Sequence, residues 1–142
     1  MKKLLIIIAI GLLQLNLITC QSNDATIIIN NKEEIASSVR VYYFHGTRRC
    51  TTCRTVEEVT NEILNTYYMD ELATKKISFA SLNLEKENNK SIVNDLRISG
   101  QTLLFVSSND TVNLTRQAFM NAVANPSKLT DLISDTVDEM LK

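Results

Sequence analysis

The chain has 142 residues, 44% hydrophobic and 22% charged, which supplies apolar material for one core of ordinary size and requires no second domain. Its formal net charge of -1 gives no broad field of either sign, so nucleic-acid binding is set aside. With 3 glycines in all, no internal repeat and no flavin or nicotinamide motif, the chain offers no nucleotide-binding loop, and no resident cofactor is expected.

Lys2 and Lys3 precede an apolar run from Leu4 to Leu13 that thins out at Gln14 and Asn16. A basic start followed by a short apolar stretch is the layout of a signal peptide, and the run is well short of the ~20 residues a spanning helix needs. Leu17-Ile18-Thr19-Cys20 resembles a bacterial lipobox, with Thr19 where Gly, Ala or Ser is usual. Residues 1–19 are therefore expected to be removed and Cys20 to carry the lipid, tethering the domain at the bacterial cell envelope, facing the periplasm. Residues 20–25 read as the tether and residues 26–142 as the folded domain. Lipidation of Cys20 also accounts for the odd member of 3 cysteines, leaving Cys50 and Cys53 as a pair.

Within the domain, Thr26 to Ile29 is a short β-rich run, and the polar stretch from Asn30 to Ser37 reads as a weak helix. Val39-Arg40-Val41-Tyr42-Tyr43-Phe44 is the clearest strand, stopped by His45-Gly46. A helix begins near Cys50; Val56, Val59, Ile63, Leu64, Tyr67 and Tyr68 form its apolar face, with Glu57, Glu58 and Glu62 expected to face water. Ile77 to Leu84 is the next strand. A short helix capped by Asn89 or Ser91 and carrying Ile92, Val93 and Leu96 leads to the turn at Gly100. Thr102-Leu103-Leu104-Phe105-Val106 is a continuous apolar strand, joined at Asn109-Asp110 to a short partner from Thr111 to Leu114. A helical turn around Arg116 to Val123 precedes a final helix starting at Pro126, with Leu129, Leu132, Ile133, Val137, Met140 and Leu141 on its buried face. One crossover followed by an antiparallel hairpin and a terminal helix is the thioredoxin arrangement: an α/β fold with a central mixed sheet of four or five strands flanked by helices.

Cys50 and Cys53 are spaced C-x-x-C, too close to staple distant parts of a fold. Where a strand turns into a helix, the first cysteine meets unpaired helix N–H groups and the positive end of the dipole, which favour its thiolate. Arg48, Arg49 and Arg54 cluster around the turn and are expected to add positive potential; their other reading is a solvated surface group. His45 lies 5 residues before Cys50. It reads equally as a proton acceptor, a metal ligand or a histidine bonded only to backbone. Tyr42-Tyr43-Phe44 reads as core strand, not as a substrate platform.

The segment Tyr43-Phe44-His45-Gly46-Thr47-Arg48-Arg49-Cys50-Thr51-Thr52-Cys53 closely resembles small thioredoxin-like proteins known as the nitrophenyl-compound nitroreductase subunit, ArsF family. The likeness continues through Ser99-Gly100-Gln101-Thr102-Leu103 and through Leu114-Thr115 with Phe119, Asn121, Asn125 and Pro126. The resemblance implies the fold and a link to thiol redox or to the reduction of nitroaromatic or arsenic compounds; with no flavin or nicotinamide motif in the chain, such a reduction requires a partner to supply the electrons. The candidate site residues are Cys50, Cys53, His45, Arg49 and Gln101. Two departures from thioredoxins stand out. Gln101 falls where they carry a cis-proline, and a non-proline cis bond costs about 3 kcal/mol, so Gln101 is expected to be trans. The strand before the motif lacks the buried Asp that accepts the resolving thiol's proton, leaving His45 or water to substitute.

The leading reading is a thiol-disulfide oxidoreductase or electron-transfer subunit, with Cys50 as nucleophile, Cys53 as resolving thiol and a protein redox partner. A different class is capture of copper(I), zinc or arsenic(III) by Cys50, Cys53 and His45. A third is a non-catalytic module whose static disulfide holds a binding turn.

Overall fold

The structure is a computed structural model and describes residues 38–142. The expected signal segment, the lipid site at Cys20, the tether, the run from Thr26 to Ile29 and the polar stretch to Ser37 lie outside the described residues. Among the described residues no helix is long and apolar enough to cross a membrane.

Chain order is β1 (Val39–His45), α1 (Thr51–Tyr67), α2 (Met69–Ala73), β2 (Ile77–Asn83), a 3-10 turn (Glu87–Asn89), α3 (Lys90–Asp95), β3 (Thr102–Val106), β4 (Thr111–Asn113), α4 (Thr115–Asn121) and α5 (Pro126–Met140). The described residues form one 4-stranded sheet in the order β2-β1-β3-β4. β1 runs parallel to β2, with Val39 opposite Ile77 and His45 opposite Asn83, as the long crossover through α1 requires. It runs antiparallel to β3, with Phe44 opposite Thr102, and β3 is antiparallel to β4. This is the mixed, helix-flanked sheet of a thioredoxin-like fold.

Alternation along β1 sends Val39, Val41 and Tyr43 to one face, where they are fully buried against Val56, Ile63 and Leu64 of α1 and Leu129, Ile133 and Val137 of α5. Each such side chain contributes about 1.5–3 kcal/mol relative to leaving it in water. β3 is buried at every position, the pattern of a strand covered on both faces. Asn125 caps α5 by accepting the Lys128 amide, and Pro126 occupies its first turn, where a missing N–H costs nothing.

Three features depart from the sequence reading. The long helix stops at Tyr68, and the separate turn α2 follows; Tyr67, expected on the apolar face, is 63% exposed. The turn expected from Arg116 to Val123 is a regular helix beginning at Thr115, whose hydroxyl accepts the Leu103 amide and ties the helix start to β3. Glu57 does not face water, for reasons that belong to the site.

Candidate functional site

Because β1 ends at His45 and α1 starts at Thr51, the loop between them presents its residues at the end of the sheet. That loop is pinned from the far side of β1. Glu85 accepts the Thr47 amide at 2.9 Å, and Asn83 Nδ2 donates to the Thr47 hydroxyl at 3.1 Å. The Thr47 amide and hydroxyl hold the Glu85 carboxyl below the usual carboxylate range. A Cβ on Gly46 would lie 3.3 Å from Glu85 Oε1, so the bare glycine leaves room for this carboxylate.

Cys50 and Cys53 are joined as a disulfide, their Cα atoms 5.1 Å apart. Cys50 is the N-cap of α1, and its sulfur accepts the Cys53 amide at 3.1 Å; in return the Cys50 amide donates to the Cys53 sulfur at 3.2 Å. A helix N–H thus points at the Cys50 sulfur, where charge appears when the bond opens. Exposure separates the two: Cys50 is exposed and Cys53 is only 2% exposed.

Beneath them the arginines part company. Arg48 and Arg54 stay exposed, as the solvated reading has it. Arg49 turns inward and pairs with Glu57, and both side chains are about four-fifths buried. Its Nη2 also donates to the Cys53 carbonyl at 3.3 Å, and its guanidinium carbon sits 5.6 Å from the Tyr43 ring centroid. Of the three arginines expected to add positive potential at the turn, Arg49 has its charge compensated by Glu57. The Tyr43 hydroxyl donates to the same Cys53 carbonyl at 2.7 Å. Burial pushes the Tyr43 phenol up, against the opposing pull of Arg49. Burial also pushes Glu57 up, but hydrogen bonds from Ser81 and Arg49, with the Arg49 charge, outweigh it and leave the carboxyl below its ordinary value.

Glu57 is the residue that sequence reasoning missed. The signal was its spacing: four residues after Cys53, it lies on the helix face that carries the resolving sulfur. An ionised carboxylate thus sits near the resolving cysteine, on the helix and not on the strand.

His45 is half-buried and stacked on Tyr43, ring centroids 6.1 Å apart, with Nδ1 2.9 Å from the Gly46 carbonyl. That contact makes Nδ1 the protonated nitrogen of the neutral ring, since a carbonyl only accepts. Among the described residues no group of three or more His, Cys, Asp or Glu side chains is placed to hold a metal ion, so Cys50, Cys53 and His45 do not form a ligand set in this disulfide state. Gln101, half-buried, immediately precedes Thr102, which lies opposite Phe44, so it sits at the same end of the sheet as the cysteine turn. Its peptide bond is trans, like all others among the described residues.

No family model matches the chain, and no curated protein matches it. Solved structures similar to it include Trxlp from Edwardsiella tarda, 15% identical over 75% of this chain and 91% of that one, with a TM-score of 0.49. Oxidised thioredoxin O2 from Arabidopsis thaliana is 17% identical over 77% and 86% of the two chains, TM-score 0.48. The thioredoxin of Malassezia sympodialis is 22% identical over 76% and 84%, TM-score 0.47. The chain's own strand order and crossover carry the assignment: it has a thioredoxin-like fold with a Cys50–Cys53 disulfide at the N-terminus of its first described helix.

Proposed function

We propose that the protein exchanges electrons with a partner protein through Cys50 and Cys53. The observation that carries this reading is the asymmetry of the two sulfurs. Cys50 is exposed and accepts a helix amide, while Cys53 is 2% exposed. A partner thiolate can reach only Cys50. Its attack forms a bond to the Cys50 sulfur and breaks the Cys50–Cys53 bond, and Cys53 leaves as thiolate and takes a proton. A second partner thiolate then attacks the partner sulfur of the mixed disulfide. The partner leaves with a disulfide and this protein keeps two thiols, so two electrons have moved to it. The reverse sequence delivers those electrons to an oxidised partner.

Residues 1–20 support an envelope location: a leader removed before Cys20 and a lipid on that cysteine would hold the domain at the bacterial envelope, facing the periplasm. The F-H-G-T-x-R-C-x-T-C stretch supports membership of the ArsF family and service as the thiol subunit of a nitro-compound or arsenic-related reductase system. The chain carries no flavin or nicotinamide motif, so a partner reductase would supply the electrons.

The test is equilibration of the oxidised protein with glutathione and dithiothreitol buffers, together with a Cys53→Ser trap in the native envelope. Reversible opening of the disulfide, insulin reduction that vanishes in Cys50→Ser, and a reductase bound covalently to Cys50 in the trap are expected. A disulfide that no thiol buffer opens in the folded protein contradicts the exchange reading. A trap that captures only general folding catalysts contradicts the assignment to a reductase system.

A further inference from the structure

Arg49 occupies a position from which it would be expected to extend into solvent beside Cys50, as its neighbour Arg48 does. Instead its side chain is 20% exposed, paired with Glu57 and donating to the Cys53 carbonyl at 3.3 Å. The arrangement is not simply a gain in hydrogen bonding, because Arg49 Nε is buried with no acceptor among the described residues. An orphaned buried donor is destabilising, so the inward position is held by the other contacts of the guanidinium, the Glu57 pair and the Tyr43 ring. Glu57 holds the guanidinium there from α1, steadied by Ser81 from β2, while Tyr43 faces the guanidinium from β1 and His45, stacked on Tyr43, acts on the Glu57 carboxyl.

Opening the disulfide adds two electrons and turns its two sulfurs into thiolates, each needing a proton or a compensating cation. Two fixed charges of opposite sign sit at this turn, Arg49 bonded to the Cys53 carbonyl and Glu57 paired with Arg49. Left alone, Arg49 would stabilise sulfur anions and make the disulfide easier to reduce; left alone, Glu57 would do the reverse. Resting on the exchange reading, we propose that Glu57 is a positioning residue that holds Arg49 under Cys53 and cancels its charge there, so that the Cys50–Cys53 couple is a weaker oxidant than its arginine-rich turn would otherwise make it.

The test is the equilibrium constant of the couple in thiol redox buffers at pH 7, for the wild type, Glu57→Gln, Arg49→Gln and the double variant. Glu57→Gln should favour the reduced form by about three- to tenfold, Arg49→Gln should favour the disulfide by a similar factor, and the double variant should return to within about twofold of the wild type. If the wild type equilibrates but each single variant stays within about twofold of it, or both shift the same way, this inference is overturned and the exchange reading stands. If the wild-type disulfide does not equilibrate with any thiol buffer, both are overturned. Should Glu57→Gln fail to fold, Arg49→Gln decides alone: a constant equal to the wild type's overturns the inference, and a shift toward the disulfide supports it.

Discussion

At the start of α1 the Tyr43 hydroxyl donates to the Cys53 carbonyl at 2.7 Å; just past its end the Tyr68 hydroxyl donates to Asp138 of α5 at 2.8 Å. Burial pushes both phenols up, but the neighbouring charge differs in sign. Arg49 pulls Tyr43 back, while Asp138 adds to the effect of burial and Tyr68 is pushed up to about 12. The far end is a fixed anchor between two helices. The near end arranges its cation, carboxylate and phenol around the Cys50–Cys53 disulfide, the bond that the proposed exchange breaks and re-forms. The same residue type thus ties two helices together in one place and holds the disulfide turn in the other, beside charges of opposite sign.

The largest expected effect falls at the near end. Cys50→Ser should reduce insulin reduction to background with the circular dichroism spectrum unchanged; residual exchange through Cys53 would erase the distinction between the two sulfurs. Next comes the core between the two ends. Leu64→Ala empties a fully buried position and should cost about 2–5 kcal/mol by chemical denaturation, while leaving the redox equilibrium within about twofold.

Tyr68→Phe should cost about 1 kcal/mol, the net value of a hydrogen bond, with no change in exchange rate. It also has a pH signature. The folded protein holds the Tyr68 proton more tightly than the unfolded chain, so that contribution is complete below pH 10 and is lost as pH rises from 10 to about 12. The variant should therefore show a shallower alkaline loss of stability over that range. Glu57 gives the opposite and smaller signature. Its folded value lies below that of an ordinary glutamate, so its contribution is present above the ordinary value and lost as pH falls below it. In Glu57→Gln the acid limb of the stability curve should be shallower, and an unchanged limb would mean that the ion pair does not form in solution.

Much of the architecture could be read from local pattern. Val39 to Phe44 is β-branched and aromatic, Thr102 to Val106 is a continuous apolar run, and Pro126 marks a helix start, so these elements are specified by their own residues. Tyr67 and α2 were not, because Tyr67 continues the helical spacing and only the docking of Tyr68 on Ser134 and Asp138 ends the helix there. The C-x-x-C turn was equally visible. What lies under it was not, since the Glu57 pairing depends on a loop arginine turning inward and on Ser81 arriving from another strand. Tyr43 was read as core, and it is; that its hydroxyl reaches Cys53 depends on where β1 ends relative to α1.

Exchange through this turn requires that only the Cys50 sulfur be open to attack. The direct measurement compares Cys53→Ala and Cys50→Ala variants, each with one site thiol left, for their rate of reaction with a small aromatic disulfide at neutral pH. The Cys50 thiol should react at least about tenfold faster than the Cys53 thiol. Equal rates, or a faster Cys53, would contradict it.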